Sequence, residues 1–148
     1  MTEFILASIL LPFAGGLLTL ILPRSWIKFF SVLVSLLAAL AGIFVLVAFT
    51  AAGKATINVD LLYIGQWLIF GVTLDKLSVL IGAALGVVGF LIVVYATGYL
   101  TMQNREHAEK RVERRFYFFL LLFIGSMAGL VFASTMLGLL IFFELTGV

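Results

Sequence analysis

The stretch FYFFLLLFIGSMAGLVFA, Phe116 to Ala133, runs for 18 residues without a charge. A helix needs roughly 20 apolar residues to cross a hydrocarbon core of about 30 Å. Glu113, Arg114 and Arg115 stand just ahead of this run. It reads as a membrane-crossing helix, and the same pattern repeats on both sides of it. Phe4 to Leu22 is one such run, closed by Pro23-Arg24. Trp26 to Phe49 is a second, interrupted only by Lys28, and Leu74 to Leu100 is a third. A fifth run starts near Thr135 and reaches Val148. At 14 residues it makes only about 21 Å of helix, so a truncated fifth helix is expected. Its end would stop inside the membrane, where another polypeptide or a water-filled cavity must meet it, unless this chain is part of a longer one.

Composition agrees. Of 148 residues, 64% are hydrophobic and 11% charged, against about 45–50% and about 25% in soluble domains. A soluble domain, a disordered chain and a fibre are therefore excluded. The net charge of +2 gives no reason to expect a nucleic-acid partner. With no cysteine and a single histidine, His107, no disulfide, cluster or protein-held metal or haem is expected. No cofactor is expected, and redox chemistry would sit on another subunit. The first run reads as a retained helix. Only Met1, Thr2 and Glu3 precede it, so it lacks the basic region of a signal peptide, and it has no Ala-x-Ala site. Pro12 removes one backbone hydrogen bond within it and is expected to bend it.

Orientation follows from the basic residues. Arg24 and Lys28 flank the first connection, and Arg105, Lys110, Arg111, Arg114 and Arg115 fill the third. The second connection has only Lys54 and Lys76. Cytoplasmic loops collect Lys and Arg. The N-terminus is thus expected outside and the 101–115 loop in the cytoplasm of a multi-pass cell-membrane protein. The second connection, Thr50 to Thr73, alternates with period two over Thr56–Leu61 and carries Gly65 and Gly71. A short extracellular β-hairpin is expected there.

Several residues invite a structural explanation first. Gly82 with Gly86, and Gly125 with Gly129, form small-xxx-small steps suited to helix packing. Asp75 is placed to cap the third helix. The loop Gln103–Arg115 mixes five basic residues with Glu106, Glu109, Glu113 and His107, and reads as solvated. Tyr95, Tyr99, Trp26 and Trp67 fall near membrane boundaries, as aromatic residues do.

Glu144 differs. From an entrance near Thr135 it lies about 14 Å deep, near the midplane. Carboxylates there are costly and usually mark ion or proton pathways. Desolvation favours its neutral form and a nearby cation its charged form, so a group held between these influences can load and release a proton. The plain alternative is a glutamate hydrogen-bonded to a neighbouring helix. Every Lys and Arg of this chain falls at a helix end or in a loop, so a cationic partner for Glu144 must come from elsewhere.

Five stretches carry a resemblance. They are Asp75-Lys76-Leu77-Ser78, Tyr95-Ala96-Thr97-Gly98-Tyr99, Arg115-Phe116-Tyr117, Leu122-Phe123-Ile124-Gly125-Ser126-Met127 and Phe143-Glu144-Leu145-Thr146-Gly147-Val148. In this order and spacing the chain resembles the N-terminal part of the antiporter-like membrane subunits. These include the large membrane subunits of respiratory complex I, Mrp-type cation/proton antiporters, and the membrane arms of energy-converting hydrogenases. The resemblance implies a fold of about fourteen helices built on inverted repeats. It also implies that Glu144 is the fifth-helix glutamate, which pairs with a lysine on the seventh helix and modulates proton movement. That lysine lies outside this chain, so the chain looks like the opening third of such a subunit, either completed by another chain that supplies the lysine or truncated.

The expectation is an all-α integral membrane domain over 1–148, with four transmembrane helices, a truncated fifth, and a hairpin between helices 2 and 3. Its expected role is that of a membrane-arm subunit of a proton- or sodium-translocating complex, without chemistry of its own. Its partners would be other membrane subunits and lipid. Two other readings stand beside it. A small proton-coupled exporter also uses one intramembrane glutamate, but on its first helix and with minimal loops. A purely structural or assembly subunit would use Glu144 only for a hydrogen bond.

Overall fold

The computed structural model describes residues 2–53, 56–106 and 112–147. Its elements are α1 (Thr2–Ile21), α2 (Arg24–Ala51), β1 (Thr56–Ile64), β2 (Trp67–Asp75), α3 (Lys76–Glu106), α4 (Val112–Phe132) and α5 (Met136–Thr146). Four helices are long and apolar enough to cross a membrane: Thr2–Ile21, Arg24–Ala51, Lys76–Leu100 and Glu113–Phe132. Met136–Thr146 is apolar but shorter. The outward faces carry Leu10, Leu17, Phe29, Val47, Leu91 and other large apolar side chains, which water would not tolerate over so wide an area.

The local chemistry explains the boundaries. Pro23, with its φ fixed near −59°, precedes α2 where no helical N–H is lost. The connection of Leu22 and Pro23 is so short that α2 must fold back along α1. Past α2, Gly53 takes φ +61° and donates to Thr50 O, which is the left-handed exit that glycine allows at little cost. α1 runs through Pro12 as one helix.

The hairpin is longer than the sequence suggests. Two nine-residue strands pair antiparallel from Thr56↔Asp75 to Ile64↔Trp67. Gly65, at φ +63°, is the first of two loop residues, the glycine-first pattern of a tight hairpin loop. The sheet therefore absorbs Leu74 and Asp75, which the hydropathy pattern assigned to the third helix. Their strand is itself apolar: Val72 and Leu74 are buried, and a buried strand cannot be told from a buried helix by hydropathy. The element between helices 2 and 3 is thus a real two-stranded sheet, and the chain is mostly rather than wholly helical. α4 starts earlier than expected, at Val112. α3 continues to Glu106, so part of the expected third loop is helix. His107, Glu109, Lys110 and Arg111 lie outside the described residues.

Two core clusters stack along the bundle. Near the hairpin, Ile5, Ile9, Val45, Phe49, Val72, Leu74 and Phe132 pack together. At the other end, Ile27, Val34, Val93, Leu100, Tyr117 and Leu121 do so. The glycine steps work as packing surfaces in two ways. A Cβ on Gly86 would come within 3.1 Å of Ala39 Cα, and one on Gly42 within 3.4 Å of Gly82 O, so α2 and α3 meet backbone to backbone. Gly82, Gly125 and Gly129 instead receive the rings of Phe132, Phe13 and Phe142. In lipid, where apolar contact alone does not drive helices together, such close packing does.

Candidate functional site

α5 is positioned from its first turn. Thr135 is extended (φ −113°, ψ 146°) and its hydroxyl accepts from the Gly138 N–H at 3.1 Å. The same hydroxyl donates to Ile69 O at 2.8 Å. One residue earlier, Ser134 N–H donates to Gly71 O at 3.0 Å, and Val72 bridges Ala133. The start of α5 is thus stitched to β2. Further along, Phe142 packs between Phe13 and Phe70, with ring centroids 6.3 and 5.6 Å away, and rests on Gly129. Phe13 lies near the middle of α1, so this turn of α5 is level with the middle of a full-length helix.

Glu144 follows Phe142 by two residues and Met136 by eight, about 12 Å along the helix axis. Its side chain is exposed, on the same outward surface as Leu140, Ile141 and Phe143. Among the described residues both ion pairs belong to Glu113, and Glu144 joins neither. A carboxylate on an apolar helix face would be costly against lipid. The fold thus fixes the helix that carries the acid and leaves the acid on an exposed face.

Asp75 caps α3. Ser78 N–H donates to Asp75 Oδ1 at 2.6 Å, and Asp75 N–H donates to Ser78 Oγ at 2.8 Å. This reciprocal pair satisfies two orphan donors. Hydrogen bonds from Ser78, its backbone N–H first, hold the Asp75 carboxyl below the usual carboxylate range. Trp26, Tyr95 and Tyr99 are exposed, with the two tyrosines stacked at 6.0 Å, as interface aromatics are.

Glu113 corrects the sequence reading. It is not a solvated loop acid. Its side chain is only 5% exposed, and it opens α4. Its carboxylate accepts from Arg24 Nε at 2.8 Å and faces Lys28 Nζ at 3.2 Å. Next to it, Arg114 Nη2 donates to Leu22 O at 3.0 Å. These contacts lock the α1–α2 connection against the start of α4. In the sequence, Glu113 is the loop acid nearest the apolar run, and Lys28 is a cation inside another run. That was the available signal, but it does not say that the two meet.

No family model matches the chain. It is 32% identical over 146 residues to a probable K(+)/H(+) antiporter subunit of Rhizobium meliloti, covering 95% of this chain and 14% of that one. It is 36% identical over 77 residues to a Na(+)/H(+) antiporter subunit of Staphylococcus haemolyticus, covering 52% and 9%. It is 38% identical over 77 residues to the NAD(P)H-quinone oxidoreductase chain 5 of a Picosynechococcus species, covering 52% and 10%. The match thus takes in at most about a seventh of each of these relatives.

Proposed function

Since the chain belongs to the antiporter-like membrane subunit family, we propose that it works as a membrane-arm subunit of a multisubunit proton- or sodium-translocating complex of the Mrp, membrane-bound hydrogenase or complex I type. Glu144 contributes to the proton path. A lysine supplied by another chain or segment faces it.

The observation that carries this is the setting of Glu144. A titratable acid sits on an apolar helix face, its helix fixed at one end by Thr135 and braced near the middle by Phe142, with no cation offered to it by the described residues. A lysine facing it would form an ion pair, which ties the site to the partner's charge.

The basic residues support the orientation read from sequence. Arg24, Lys28 and Arg114 gather around Glu113 and Leu22 at one end, and the hairpin occupies the other. We place the Arg24 end in the cytoplasm.

The test is Glu144→Gln and Glu144→Asp in the assembled complex, with assembly followed by native gel and ion movement by a pH or sodium indicator in sealed vesicles. Gln keeps shape and hydrogen bonding but cannot titrate, so assembly should be normal and transport poor. Asp should keep part of the activity. Full transport in the Gln variant would reduce Glu144 to a structural residue.

A further inference from the structure

Two buried hydroxyls have no protein hydrogen-bond partner among the described residues: Ser31 Oγ on α2 and Tyr117 OH on α4. Both residues are wholly buried. The other interior hydroxyls behave differently. Ser8, Thr19 and Ser35 turn back onto Ile5 O, Gly16 O and Val32 O, and Ser126 onto Leu122 O. Ser31 does not turn back, although the same bond is open to any helical serine. The Tyr117 hydroxyl, at the far end of its ring, cannot. An unpaired buried hydroxyl is costly, and native structures leave few such groups unpaired.

Their positions explain what they share. Ser31 comes three residues after Lys28, and Tyr117 four residues after Glu113. On a helix these are same-face neighbours one turn apart. Lys28 and Glu113 are in contact, and both helices lead away from this end of the bundle. Each residue therefore lies one turn further along its helix than a member of the ion pair. Val34, Leu121 and Ile124 are buried in the same cluster as Tyr117.

We propose that a buried water sits between Ser31 and Tyr117 and ties both hydroxyls to the Glu113 carboxylate. Three partners suit a buried water, which typically makes about three hydrogen bonds. A metal cation does not suit the place, because Arg24 and Lys28 already neutralise the carboxylate. The water extends the ion-pair cluster one turn into the bundle and pins α2 to α4.

The experiment uses the complete complex in nanodiscs. A cryo-EM map that resolves ordered waters should show density about 2.7–3.2 Å from both hydroxyls in the unsubstituted protein. Amide exchange over residues 113–121 is then compared in Tyr117→Phe, Ser31→Ala and the double variant. Each single change should speed exchange by about fivefold. The double variant should be no faster than the worse single one, since both hydroxyls hold one water. Absence of the density overturns the proposal. So does a Tyr117→Phe variant that exchanges as slowly as the parent, because a dry hydroxyl is not missed. Effects that multiply in the double variant would also defeat a shared water.

Discussion

Gly129→Ala tests whether the packing of Phe142 sets the position of α5. A Cβ on Gly129 would run into the Cε1, Cδ1 and Cζ atoms of Phe142, all closer than real Cβ contacts allow. The ring cannot simply swing aside, because Phe13 and Phe70 stand against it at 6.3 and 5.6 Å. Replacing glycine by alanine inside a helix contributes about 1 kcal/mol of stability on its own. Forcing extra atoms into a filled site costs about 1–3 kcal/mol. The net is a loss of about 0–2 kcal/mol, taken up by outward displacement of α5. Gly98→Ala on α3 is the matched control. Nothing lies within 4 Å of its Cβ position, so the helix gain should survive whole. The two variants should thus differ by about 1–3 kcal/mol, or roughly 5- to 150-fold in local opening. Amide exchange of the assembled complex reads this directly. Exchange in 136–146 should quicken in Gly129→Ala, whereas exchange around 98 should slow in Gly98→Ala. If α5 exchanges equally in both variants, Phe142 does not position the helix and the account of the Glu144 setting fails with it.

Thr135→Val removes both the cap to Gly138 and the bond to Ile69 O, and should cost about 1–2 kcal/mol, seen as fast exchange in the first turn of α5. Asp75 should make stability pH-dependent in acid: with its carboxyl held low, its contribution is complete above the ordinary carboxylate pKa near about 4 and falls away as pH drops through the lower native value. Asp75→Asn keeps the cap but should flatten that part of a pH-denaturation profile. Arg24, 46% exposed, should lose less than about 1 kcal/mol on Arg24→Ala. Glu113→Ala removes the buried carboxylate that Arg24 and Lys28 both face and should cost about 1–3 kcal/mol, so steady-state abundance in membranes should fall more for Glu113→Ala.

The four long helices were legible because lipid imposes one rule on every crossing segment: about 20 apolar residues with charges outside. The hairpin was legible from the alternation in Thr56–Leu61, but not its far edge, because Val72 and Leu74 are buried on a strand and look helical by hydropathy. Glu144 was visible because a carboxylate in an apolar run stands out locally. Glu113 was not. Its partners Arg24 and Lys28 lie more than eighty residues away in sequence, and three acids in one basic loop look alike until the fold buries one of them. The orphan hydroxyls of Ser31 and Tyr117 depend on rotamers and helix rotation, which hydropathy does not encode.

Thr135 belongs to two structures at once, since one oxygen caps α5 and also holds the backbone of β2. Mechanically it is a fulcrum. Glu144 stands about 14 Å out along the arm, so a tilt of about 5° about Thr135 would carry its carboxylate roughly 1 Å, on the scale of a hydrogen bond made or broken. Through that one hydroxyl, a displacement of β2 at one end of the bundle would reach Glu144 as a lever's motion does.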